Sequence, residues 1–232
     1  IVARVSDISG AQQLIVKQNV KRLEELYGKK IGVMRGTASD ALFNSIVKSY
    51  GIDAAKVDIV NMGPTEMLQG FARGAVDAVV VWEPHTTRAR KVGNGKVLVS
   101  ATHSYLEAKP VAKRIYGDHS VLFASESYIR ENGVALRGVL MALARANEFM
   151  EKNRSEAAAL LAKELNLEPD EMAGIMSVNR YTLALDDQMV GDLNALAAFL
   201  HGLGRIKSQP KAQDWIDPAP LKAVRADLVK LR

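Results

Sequence analysis

The chain has 232 residues, a formal net charge of +5 and no cysteine, which removes disulfides, zinc–thiolate sites and thiol catalysis together. The 31 basic and 26 acidic side chains are interspersed rather than grouped, and the densest basic group (Arg88, Arg90 and Lys91) has no aromatic neighbours for base stacking. That pattern disfavours nucleic acid as a partner, and no apolar run reaches the length that inserts into a bilayer.

The chain opens with two strand-like runs, Ile1–Val5 and Gln12–Val16, as though it entered a fold partway through. From Tyr27 to Trp82 it reads as β-α-β-α-β. The first strand is Lys30–Met34, closed by Gly36. A helix carrying Leu42, Ile46 and Tyr50 follows and stops at Gly51. The second strand is Val57–Met62. The next helix starts at Gly63-Pro64, where proline's missing N–H costs nothing, and ends at Gly74. The third strand, Val76–Trp82, is mostly apolar, as a strand covered on both faces should be. Strands alternating with helices in this way predict an α/β fold with a parallel sheet.

A short helix bearing Thr86, Thr87 and Arg90 comes next, then a strand over Lys96–Ser100 and a polar, irregular stretch over Thr102–Asp118. A run at Ser120–Ala124 leads into a helical half. Helices are expected over 125–132, 134–153, 155–165, 168–176 and 186–203, with a final amphipathic helix over Pro220–Leu231.

Three helix starts fall where the three strands end. In Arg35-Gly-Thr-Ala-Ser-Asp40, Gly36 permits a tight turn, and Thr37 and Asp40 have the spacing of a capping box. Backbone amides and the positive end of a helix dipole meet there, at the sheet edge where open α/β folds bind ligands. The loop therefore reads either as an ordinary capped helix or as a site in which the Thr37 and Ser39 hydroxyls and backbone amides hold a sulfonate, nitrate or carboxylate. Trp82-Glu83-Pro84 leaves the third strand at the same edge. It reads either as core or as an aromatic wall beside a carboxylate. Thr65, in Gly63-Pro-Thr-Glu66, is a weaker candidate of the same kind. The four histidines show no HExxH or paired metal spacing, Ser39 lies in no Gly-x-Ser-x-Gly elbow, and Gly-x-Gly-x-x-Gly is absent. No cofactor, metal site or catalytic residue is expected, and a binding module accounts for the sequence better than an enzyme.

Together, Leu26–Val33, Arg35–Ser39, Val57–Asn61, Gly74–Ala78 and Trp82–Pro84 resemble the substrate-binding proteins of ABC importers for taurine, alkanesulfonates and nitrate, a superfamily that also includes binders of thiamine pyrimidine precursors. The resemblance implies a two-lobed type II periplasmic-binding-protein fold that closes over a small anionic ligand and delivers it to a membrane permease outside the cytoplasm. It places residues 27–116 in one lobe and residues 1–26 and 117–232 in the other. It also implies that the N-terminal part of the first lobe is absent, since such proteins have further strands and helices before a segment like Ile1–Gly10. Gly36, Thr37, Ala38 and Ser39 match the family's anion-contacting loop, and Trp82 and Glu83 its cleft-facing turn. A pyrimidine-precursor carrier and the sensor module of a signalling protein are the alternative readings.

Overall fold

The structure, a computed structural model, describes residues 1–232. It divides into a continuous unit, Ser9–Tyr116, and a discontinuous unit made of Ile1–Ile8 and Gly117–Arg232. Strand β1 (Ala3–Asp7) belongs to the discontinuous unit.

The continuous unit begins with β2 (Gln12–Lys17) and β3 (Lys30–Val33), followed by helix α1 (Ala38–Tyr50). Then come β4 (Asp58–Asn61), α2 (Pro64–Arg73), β5 (Ala78–Trp82), α3 (His85–Val92) and β6 (Gly95–Ser100). Two short strands, β7 (His103–Ser104) and β8 (Val111–Ala112), complete it. One seven-stranded sheet results, in the order β4-β3-β5-β2-β6-β7-β8.

Strands β4, β3 and β5 are parallel, as the alternating pattern predicts, but β2 runs antiparallel to both β5 and β6. Two expectations are thereby corrected. The sheet is mixed rather than parallel. Residues 9–26, expected with the flanks, belong with 27–116, because β2 inserts between β5 and β6 and pairs along its length with both.

Alternation along the central strands sends side chains to two cores. Leu14, Val16, Ala78 and Val80 meet Leu42, Phe43 and Ile46 of α1 on one face. Ile15, Val79 and Val81 meet Met67, Phe71 and Ala89 of α2 and α3 on the other. Gly95 has a packing reason for lacking a side chain, since a Cβ there would lie 2.6 Å from Ile15 Cγ2 and 2.8 Å from the Phe71 ring. Both helices end where the sequence predicts, at Gly51 and Gly74, each in the left-handed region at φ 66° and 76°.

In the discontinuous unit, β1 pairs antiparallel with β9 (His119–Leu122). Helices α4 (Glu126–Glu131), α5 (Gly133–Lys152), α6 (Arg154–Leu165) and α7 (Pro169–Ser177) follow. After them come β10 (Leu185–Asp186), α8 (Asp187–Gly202), α9 (Ala219–Lys222) and β11 (Val229–Lys230). Its core joins Val2 and Ala3 to Leu136, Leu140, Leu183, Leu185, Met189 and Leu221. The helix expected over Pro220–Leu231 stops at Lys222 instead. Its apolar residues are used by a return of the chain, in which Val229 of β11 aligns parallel with Leu185 of β10. Asp186 caps α8 by accepting the Met189 amide at 2.9 Å, and its carboxylate also pairs with the buried Arg4 at 2.9 Å. No helix is long and apolar enough to cross a membrane.

Candidate functional site

The ends of β4, β3 and β5 lie side by side, so the starts of α2 and α1 and the turn into α3 share one edge of the sheet. The amino-terminal end of β2 and the carboxyl end of β6 join them, since Gln12 aligns with Trp82 and Gln13 with Ser100. Sequence reasoning found the first three of these segments and missed the last two, which only long-range antiparallel pairing brings here.

At the α1 start, Gly36 turns the chain at φ 76°, a conformation that costs a glycine little. Thr37 caps the helix. Its hydroxyl donates to the Met34 carbonyl at 2.7 Å and accepts from the Ser39 amide at 3.3 Å. Asp40 does not close the expected capping box on the Thr37 amide. Its carboxylate, almost wholly buried, reaches one residue further and accepts from the Gly36 amide at 3.0 Å. Arg35 and Asn44 also donate to it, at 3.2 and 3.1 Å. The Arg35 amide donates to Asn61 Oδ1 at 3.0 Å, which ties this loop to the end of β4.

Ser39 has a structural role. It is fully buried, donates to the Val80 carbonyl at 2.6 Å and accepts from the Met34 amide at 3.1 Å. Its single proton is committed to the Val80 carbonyl of β5. The Gly36 amide and the Thr37 hydroxyl proton are committed too. What the loop retains is a pair of helix-start amides, Thr37 and Ala38, for which the chain supplies no acceptor. The hydroxyl protons of Thr37 and Ser39 are thus used within the chain, and the Thr37 and Ala38 amides are not.

Trp82 closes β5 half-buried, with the His85 ring edge-on at 6.3 Å between centroids. Glu83 was expected to receive a ligand's amine or to orient a neighbour. The side chain is only 4% exposed and accepts from the Thr87 amide and hydroxyl at 3.1 and 3.0 Å, with Arg90 3.6 Å away. It therefore anchors the first turn of α3. The His85 imidazole is held below its ordinary pKa mainly by burial, reinforced by Arg88 and opposed by Glu83, and its Nδ1 is buried with no partner. Thr65 is exposed in the first turn of α2, where Glu66 accepts from the Gly63 amide at 3.0 Å.

On the β2 and β6 side, Ser9 is fully buried and accepts from Arg114 at 3.1 Å, while Gln13 donates to the Gly10 carbonyl at 3.1 Å. No group of three or more His, Cys, Asp or Glu residues comes together that could hold a metal ion. The arrangement suits a ligand held by helix-start amides beside an aromatic pair.

A sheet flanked by helices with polar helix starts gathered at one edge defines a ligand-binding α/β architecture. The family model described as "NMT1/THI5 like" matches residues 5–157, and the chain belongs to that family. A Brucella abortus (strain 2308) protein named only as a binding protein is 24% identical over 221 residues, covering 92% of this chain and 67% of that relative. The taurine-binding periplasmic protein of Escherichia coli K12 is 30% identical over 96 residues, 41% of this chain and 29% of that protein. In three dimensions, the crystal structure of the periplasmic aliphatic sulphonate binding protein SsuA from Escherichia coli shares the fold. Its TM-score is 0.74 at 20% sequence identity, over 92% of this chain and 72% of that one.

Proposed function

We propose that this chain is the ligand-binding part of an extracytoplasmic solute-binding protein. In this reading it captures a small anion of the sulfonate, taurine or nitrate class and presents it to the permease of an ABC importer. The observation that carries the reading is the amide pair of Thr37 and Ala38 at the start of a thirteen-residue helix, at the carboxyl end of a parallel strand. Such a position favours negative charge through its uncovered N–H groups and the helix dipole. Gly36 and Ser39 shape the loop, Trp82 packs against the rest of the ligand, and Thr65 borders it. Relatives named for binding rather than catalysis support the reading, as does a sulphonate-binding protein of the same fold.

Ala38→Pro gives a direct test. Ala38 is the first helical residue, where proline is accommodated, and the preceding Thr37 is already extended at φ −121° and ψ −176°. The substitution removes one amide proton and leaves the helix in place. Titration calorimetry with taurine, short alkanesulfonates and nitrate should show binding to the native chain and a loss of about tenfold or more in the variant. Equal affinity in the two proteins would remove the loop from the site.

The Trp82–His85 pair favours a second reading, in which a flat pyrimidine precursor stacks at the same edge. Binding of an aminopyrimidine with no response to sulfonate would select it.

A further inference from the structure

We propose that the discontinuous unit carries a second small-molecule site, at the junction of α5 and α6, for a free α-amino acid with an apolar side chain. The site lies wholly within that unit and does not depend on the reading given to the Thr37 and Ala38 amides.

Two cavities meet at this junction. One, of about 260 Å³, has Met150, Arg154, Met176 and Arg180 in its wall. The other, of about 160 Å³, has Ala144, Asn147, Leu183 and Leu228. Glu151, Tyr181 and Thr182 line both, so the two form one groove with these three residues at its middle. Helix α5 ends at Lys152 and α6 begins at Arg154, which sets Glu151 and Arg154 on either side of the break between them.

The polar groups around the groove are not equivalent. Arg225, at the rim, is held by Glu148 and by Asp227, and Arg180 by Asp7 at 3.1 Å. Glu151 and Arg154 pair with no side chain of the protein, nor with each other. Asn147 is only 9% exposed, and its one contact within the chain runs from Nδ2 to the Val5 carbonyl at 3.5 Å, long for a hydrogen bond. Its Oδ1 accepts from no group of the protein. A nearly buried amide with an idle acceptor in a cavity wall calls for a donor from outside the chain.

These groups sort by chemistry along the groove. The idle acceptors, Asn147 Oδ1 and the Glu151 carboxylate, suit an ammonium. Arg154, with Arg180 beside it in the same wall, suits a carboxylate, whose two oxygens match the fork of a guanidinium. At the other end, Ala144, Leu183 and Leu228 offer apolar surface to a side chain. An ammonium and a carboxylate on one carbon, with an apolar side chain, define an α-amino acid. A simple amine would leave Arg154 unused, and an inorganic anion would leave Asn147 and Glu151 unpaired. An aminosulfonate carries both charges but nothing for the apolar end.

The test titrates the 232-residue chain with L-leucine by calorimetry and follows its backbone amide signals by NMR. Saturable binding is expected, with shifts at Asn147, Glu151, Tyr181 and Thr182. N-acetyl-leucine lacks the ammonium, leucinamide the carboxylate and glycine the side chain, and each should bind at least tenfold more weakly. Glu151→Gln and Arg154→Gln, both at exposed positions, should each weaken L-leucine binding tenfold or more. Lys163→Gln, exposed on α6 outside the groove, should leave it unchanged. Three results would overturn the proposal: no saturation below about 10 mM, shifts confined to Thr37 and Ala38, or an affinity indifferent to both substitutions.

Discussion

The two units bury apolar surface by different means. In the continuous unit, seven strands form one sheet, and alternate residues of β2 and β5 feed two cores roofed by α1 on one side and by α2 and α3 on the other. In the discontinuous unit, two-stranded pieces support a mainly helical half, and most of the large exposed apolar residues are found there, among them Phe123, Val134, Met141 and Trp215. A sheet covered on both faces completes its own burial. A helical layer resting on a two-stranded ribbon turns one side of its helices outward, and part of that side is apolar here.

That contrast can be broken most sharply by truncating one buried and one exposed side chain. Phe71→Ala, at a fully buried position in contact with Gly93, Gly95 and Lys17, should cost about 3–5 kcal/mol in urea unfolding. Val134→Ala should change stability by no more than about 0.5 kcal/mol, as expected for a residue outside any core. Equal costs would mean that Val134 is packed in solution rather than exposed.

Ser39→Ala ranks next. It strands the Val80 carbonyl and the Met34 amide in a buried site, and about 1–3 kcal/mol of stability should go with it. Under the proposed site the same variant should retain affinity for ligand, since the hydroxyl holds α1 against β5. A normal melting curve with lost binding would reverse that assignment.

Thr37→Ala removes the cap of α1 and should cost about 1 kcal/mol. The smallest effect concerns pH. Burial holds the His85 imidazole below its ordinary value of 6.5, so as pH falls the unfolded chain takes up this proton before the folded one. Its contribution is therefore complete above about pH 6.5 and declines as pH drops toward the depressed folded value. Thermal melts between pH 7 and 5 should show a slope on the acid side that His85→Asn reduces.

Much of the continuous unit is legible in the order of its residues. Short apolar runs ending at glycine, with Gly51 and Gly74 stopping the helices and Pro64 starting one, depend on local chemistry that a sequence displays directly. The placement of β2 does not, because nothing near Gln12–Lys17 indicates that its partners are Ala78–Trp82 and Gly95–Ser100. The same limit separates the parts of the site. The Gly36 turn and the Thr37 cap are local and were expected. The tie from Ser39 to Val80 spans 41 positions, and Asp40 reaches past its capping partner to Gly36, so the balance of free and committed donors emerges only in three dimensions. Glu83 is a different case. Its contacts with Thr87 and Arg90 are local, but a carboxylate at the start of an α-helix looks the same in sequence whether it faces solvent or closes the first turn. Pro220–Leu231 has helical spacing, yet the partnership of Val229 with Leu185 outweighs it.

The discontinuity of the second unit bears on the order in which the molecule matures. Val2 and Ala3 lie in a core with Leu221, β1 bridges to Ala184, and the Ile1 carbonyl accepts from the Asp217 amide. None of these partners exists when Tyr116 has been made and the continuous unit has its full complement of strands. Translation of residues 117–232 takes roughly 6–23 s at ordinary rates of 5–20 residues per second. Residues 1–8 can meet β9 early in that interval, but their contacts with Ala184, Asp217 and Leu221 come only near its end.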